Sequence, residues 1–483
     1  MRTPRSDTAV TIGALAAVVV LGTLGIVVLS RGHPGPTHPG EWDPRVLDIV
    51  HFDEQHRGLT YKHPVYVDFL DAKAYSDRAR TDQSKLTDKE KHQLEVENGE
   101  LRALGLSNSN VDLLQAQNDL VDTGSLAFYD PQSQHVIVRG TDMTVGLRVT
   151  LAHELTHVLQ DQHFGIGKRR TSRFTTSQQQ SAFRALVEGD AVRIENQYVA
   201  SLSDAERQEY RDSHNKEVDN ANAGLANVPS ALRALQSAPY YLGPPFDELL
   251  VASATQSELD DAFKDPPTSD DQLLDPPAFV HKEKTLDVKT PSLPDGVPKS
   301  DKVDDGDFGA LGLLVVLGER IDPLSALQAV DGWGGDAYIA YQQNGKTCMR
   351  LDMKGDTSTD DDELRSAFDE WVKAMPPGAA STSSDGAALQ VQTCDPGTDS
   401  GITLNNRAND VVQLPATRSQ FMLEAVKQLG APVDKAFAFG DCVVRTLGFD
   451  LFVQVDKAGG APPSDEQRQA IQSSVVTCRD KAR

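Results

Sequence analysis

The sequence predicts an α+β protein, with a mixed sheet backed by helices in the larger, earlier part and a smaller disulfide-bearing α+β region after it. Three observations predict this. Leu126–Pro131 and His135–Arg139 are short β-prone runs joined by a Pro-Gln-Ser-Gln turn, which is the pattern of a hairpin. Just beyond them Val149, Leu151, Ala152, Leu155, Val158 and Leu159 recur at helical spacing, so a buried helix follows the hairpin. All four cysteines, Cys348, Cys394, Cys442 and Cys478, fall in the last third without the close spacing of a zinc ribbon or redox pair.

From the start of the chain, residues 1–7 carry Arg2 and Arg5, and 8–30 is an uncharged run. That run is long enough to cross a bilayer as a helix and longer than the apolar part of a cleaved signal. With Arg31 alone on its far side, the charge bias leaves 1–7 in the cytoplasm and the rest outside. The expectation is a single-pass cell-membrane protein. Residues 31–41, rich in Pro and Gly, form a spacer, and widely spaced cysteines suit disulfides in an oxidising compartment. A net charge of -24 over 483 residues argues against nucleic acid and anionic lipid surfaces as partners.

Residues 42–290 are expected as the first folded unit. Val46 to Leu70 reads as strands, and the densely charged Tyr75 to Leu106 as a solvated helix and plain surface. The hairpin and the buried helix follow, then a polar loop from Gly165 to Gln180. Ser181 to Glu195 regains helical periodicity, with Ala182, Ala185, Leu186 and Ala191 or Val192 on one side. Ser203 and Glu206 open a charged helix through a capping box. Pro239–Pro245 reads as a rigid loop presenting Tyr240 and Tyr241, and Asp287–Asp307 as a linker.

Residues 306–483 are expected as the second region. Helices at Phe308–Val316 and Pro323–Val330 precede two strands, Tyr338–Tyr341 and Cys348–Met353, joined by the hairpin signal Asn344-Gly345. A helix at Asp360–Met375, a flexible Pro-Gly-Ala-Ser tract and a strand at Ala388–Cys394 come next. Helix, strand and helix are expected at Gln413–Leu429, Leu451–Val455 and Ser464–Cys478. Local loops close at the least entropic cost, so Cys348 should pair with Cys394 and Cys442 with Cys478.

The chemistry concentrates at His153-Glu154-Leu-Thr-His157. On a helix, residues four apart lie on one face, so two imidazoles can share one divalent cation. Glu154 sits beside that cation without ligating it, where a carboxylate acts as a general base toward water. A third ligand is needed, and His163, Glu188, Asp190 and Glu195 are the downstream candidates. His163 would require the chain to leave the helix sharply at Gln160, a position suited to glycine. Glu188 stands on the apolar helix beside Gly189 and is favoured, with Glu195 two turns on as its rival and Asp190 or Glu195 as outer partners. Tyr240 or Tyr241 could serve a developing oxyanion.

At HELTHVLQDQHF (His153 to Phe164) and ALVEGDA (Ala185 to Ala191) the chain resembles bacterial zinc metallopeptidases of the gluzincin kind. The resemblance implies a zincin-like fold, one zinc ion per chain held by His153, His157 and Glu188, and hydrolysis of peptide or protein substrates. It also implies that the strand before the metal helix forms the edge on which an extended substrate pairs. One departure stands out. Such chains carry an acidic partner four residues after the ligand glutamate, where this chain has Val192. The competing expectation is a non-catalytic surface binding or scaffolding protein with a structural zinc site, in which Glu154 would have no work to do.

Overall fold

A computed structural model describes residues 37–123, 126–168, 174, 176–253, 255–385, 388–456 and 464–483. The expected membrane span at 8–30 lies outside them, and no helix of the described residues is long and apolar enough to cross a membrane.

The fold is mostly helical α+β. In chain order come α1 (Leu47–Arg57), β1 (Tyr66–Leu70), α2 (Ala72–Ala79), α3 (Asp88–Ala103), α4 (Leu113–Thr123), β2 (Ala127–Asp130) and β3 (His135–Arg139). Then follow α5 (Val145–Phe164), α6 (Ser177–Ser201), α7 (Asp204–Gly224), α8 (Ser230–Ser253), α9 (Gln256–Lys264), α10 (Asp271–Leu274) and α11 (Pro276–Val280). The rest is β4 (Lys302–Gly306), α12 (Gly309–Gly318), α13 (Pro323–Val330), β5 (Trp333–Gln343), β6 (Lys346–Gly355), α14 (Ser358–Ala374), β7 (Ala380–Asp385) and β8 (Ala388–Cys394). Among the described residues the chain then runs through the α-helices α15 (Ala408–Leu429), α16 (Val433–Leu447), α17 (Phe449–Asp456) and α18 (Asp465–Cys478).

The first sheet has the order β1-β3-β2, with β1 parallel and β2 antiparallel to β3. Ala127, Tyr129, Val136 and Val138 from this sheet share a core with Leu151, Ala152, Leu155 and Val158 of α5 and with Ile49 and Val50 of α1. The helical spacing of those α5 residues thus lays one face on the sheet and turns His153 and His157 toward α6. Because β3 is central, the expectation that the strand before α5 forms the edge is corrected: the edges are β1 and β2. Val46 to Leu70 is likewise corrected, since α1 occupies most of its first half and only Tyr66–Leu70 is a strand. Its apolar Val46, Ile49 and Val50 have the three- and four-residue spacing of a helix face.

Two more corrections concern charged or rigid-looking segments. The segment Tyr75 to Leu106 is not plain surface: every residue from Val96 to Ala103 of α3 is buried, Glu97, Glu100 and Arg102 among them. Arg102 is matched there by Asp395, which accepts from its Nε at 2.9 Å and its Nη2 at 2.7 Å. Pro239–Pro245 is no loop but the middle of α8, which contains Pro239, Pro244 and Pro245. Prolines remove helix donors, but Leu235, Ala238, Leu242, Phe246 and Leu250 bury a full face, and that burial decides the conformation.

The second sheet is antiparallel, in the order β4-β5-β6-β8-β7. Asn344 and Gly345 both have positive φ, 53° and 72°, as their tight hairpin turn requires. The end of the expected linker forms β4, the expected flexible tract runs into β7, and Leu451–Val455 lies in α17 rather than in a strand. The last of these is an apolar run too short for periodicity to separate helix from strand. Cys348 is bonded to Cys394 across paired strands, and Cys442 to Cys478 between α16 and α18. Both pairings are the expected local ones, and these disulfides mark the chain as one of an oxidising, extracytoplasmic compartment. The largest core joins α3, α6, α8 and α12 to β5, β6, β8 and α15, and so runs across both sides of the Asp287–Asp307 stretch.

Candidate metal centre

Two helices build the site. Thr144 caps α5, accepting from Leu147 N at 3.1 Å, and the helix ends at Gly165 in the left-handed conformation. It therefore continues unbroken through Phe164. His163 consequently points away, its Nε2 lying 2.8 Å from Thr60 O, and is no part of the site. On α6, Gly189 meets Gly243 of α8 so closely that a Cβ at Gly189 would lie 2.4 Å from the Gly243 carbonyl carbon. The missing side chain of Gly189 thus admits α8 rather than α5. This crossing sets the Tyr240 ring 6.2 Å from that of His153.

Three donor atoms converge between α5 and α6. His153 Nε2 lies 3.1 Å from His157 Nε2 and 3.3 Å from Glu188 Oε2, and His157 Nε2 lies 3.4 Å from the same oxygen. A tetrahedral zinc ion with bonds of about 2.05 Å sets its ligand atoms about 3.3 Å apart, so the residues fit the group in both donor type and spacing. Among the described residues these three form the group of metal-ligating side chains able to share an ion.

Each donor is aimed by a partner on its far side. His153 Nδ1 lies 3.0 Å from Glu195 Oε2, so the carboxylate accepts its N–H and leaves Nε2 for the centre. His157 Nδ1 lies 2.9 Å from Gln160 Oε1. The other oxygen of Glu188 faces Arg184 Nε at 3.7 Å. Burial opposes ionisation of Glu188, but both imidazoles and the Arg184 guanidinium outweigh it and hold the carboxyl well below its usual range. Burial also works against a charged His153, yet Glu188, Glu195 and Glu154 raise it well above the ordinary value.

Glu154 lies outside the triad. Its Oε2 accepts from Tyr129 N of edge strand β2 at 2.8 Å, and burial pushes its carboxyl up against the opposing pull of His153 and His157. Asp190 also stands apart, fully buried between Arg57 Nε at 2.6 Å and Arg193 Nη2 at 3.0 Å. Of the tyrosines, Tyr240 faces the site and Tyr241 packs against the main core. The sequence pattern alone assigned no role to Gln160 or Arg184. The signal was present in their spacing, since Gln160 is three residues after His157 and Arg184 four before Glu188, each on its partner's helix face.

Comparison with known proteins adds one match, to a domain of unknown function (DUF8575) over residues 298–427. That span covers β4 to most of α15, beyond the donor triad in sequence, and carries no functional description. No curated protein and no solved structure matches the chain.

Proposed function

We propose that this chain is an extracytoplasmic zinc-dependent peptidase, tethered to the cell membrane by residues 8–30, that hydrolyses peptide bonds with Glu154 as general base. The observation that carries the proposal is the convergence of His153, His157 and Glu188 at 3.1–3.4 Å with a second carboxylate, Glu154, close by but held elsewhere. A site serving stability alone has no use for that carboxylate.

Held by the triad, zinc would supply Lewis acidity and lower the pKa of a water to near neutrality. The protein's own groups do the rest. The Tyr129 N–H fixes one oxygen of Glu154, leaving the other to take a proton from the attacking water and return it to the leaving amine. Burial of Glu154 raises its proton affinity, which suits a group that must hold a proton between the two transfers. Tyr240 offers a hydroxyl beside His153 for the developing oxyanion, and Arg184 keeps Glu188 ionised.

The test is cleavage of a peptide library by the full-length chain, read by mass spectrometry, with zinc content measured on the same sample. Stoichiometric zinc with cleavage that a chelator removes and zinc restores is expected. Stoichiometric zinc with no cleavage of any peptide would overturn the peptidase reading in favour of a surface binding protein with a structural site.

A further inference from the structure

Building on the metal centre proposed above, we infer that Gln160 is a positioning residue, whose amide fixes the tautomer of His157 and ties that ligand to a buried chain of charges. The orientation of the amide follows from its surroundings. Gln160 Nε2 lies 3.0 Å from Val187 O and 3.0 Å from Asp190 Oδ2. Both partners only accept, so the NH2 group must face them and Oε1 must face His157. An oxygen 2.9 Å from His157 Nδ1 accepts an N–H there, which leaves Nε2 with its lone pair directed at His153 Nε2 and Glu188 Oε2.

The anchor behind Gln160 is rigid. Asp190 is fully buried, and its carboxylate is held by Arg57 and Arg193. Arg57, also fully buried, reaches Asp260 of α9 through Nη2 at 2.6 Å. His157, Gln160, Asp190, Arg57 and Asp260 thus form one hydrogen-bonded line from the centre through α6 and α1 to α9. Two guanidiniums against one carboxylate make Asp190 a charged acceptor. A charged acceptor strengthens the hold on Gln160.

The experiment measures zinc affinity of the full-length chain by competition with a fluorescent chelator, together with the melting temperature of the metal-free protein. Gln160→Met removes the acceptor facing His157 and should weaken zinc binding by about 10- to 100-fold, the range typical of groups that orient a ligand. Gln160→Glu keeps an acceptor but sets it against Asp190, and should also weaken binding. Wild-type affinity in Gln160→Met with a lowered metal-free melting temperature would show a merely structural residue and overturn the inference alone. Absence of zinc binding by the wild type would overturn the metal centre itself, and the inference with it. Should Gln160→Met fail to fold, Gln160→Glu decides on the same two measurements: weakened zinc binding supports the inference, and wild-type affinity overturns it.

Discussion

Glu195 Oε2 lies 3.0 Å from His153 Nδ1, on the opposite side of the imidazole from Glu188, although both glutamates project from α6 about two turns apart. One helix thus supplies the carboxylate that completes the donor triad and the carboxylate that orients one of its histidines.

The two glutamates should therefore fail differently. Glu188→Ala should lose zinc and activity together, because two imidazoles alone are one donor short of a catalytic site. Glu195→Gln should keep a stoichiometric ion and weaken its binding by about 10- to 100-fold. Metal analysis after dialysis against a graded chelator separates them; zinc retained by Glu188→Ala and lost from Glu195→Ala would exchange their roles.

The crossing of α6 and α8 should tolerate no side chain. A Cβ at Gly243 would lie 2.1 Å from Ala185 O and 2.9 Å from two Gly189 backbone atoms, with no flexible neighbour to give way. Gly243→Ala should destabilise the protein by about 1–3 kcal/mol, as overpacking does. Thermal denaturation checks it, and an unchanged melting temperature would contradict so close an approach of the two helices.

Stability should fall as pH rises across the neutral range, in part because of Glu97. Burial raises its carboxyl from near 4.5 to about 8, with Asp304 adding to the rise and Gln93 opposing it. The folded state therefore binds a proton that the unfolded state has released. The contribution is fully present below about pH 4.5 and is lost as pH climbs toward about 8, at up to about 1.4 kcal/mol per pH unit. Denaturant titrations of Glu97→Gln between these limits should show a flatter dependence than the parent; an equal slope would remove Glu97 from the account.

Local pattern made the donor triad legible. The i, i+4 histidines and an inward glutamate on an apolar helix need only helix geometry, and the hairpin before α5 needs only turn chemistry. The short-loop disulfides followed from chain entropy. Tertiary burial hid the rest. Three prolines stay helical in α8 because its apolar face is covered, and Glu97 and Glu100 on α3 look like surface until the second sheet closes over them. The strand order could not be read at all, because β1 joins β3 in parallel across α2, α3, α4 and β2.

Glu154→Gln tests the central claim most directly, by measuring peptide-library cleavage and zinc content on the same purified full-length protein. The substitution keeps both imidazoles and an acceptor for Tyr129 N–H while removing the base. The expected result is stoichiometric zinc with hydrolysis abolished. Undiminished cleavage by a zinc-loaded Glu154→Gln variant would contradict the mechanism, and loss of zinc would instead make Glu154 a ligand.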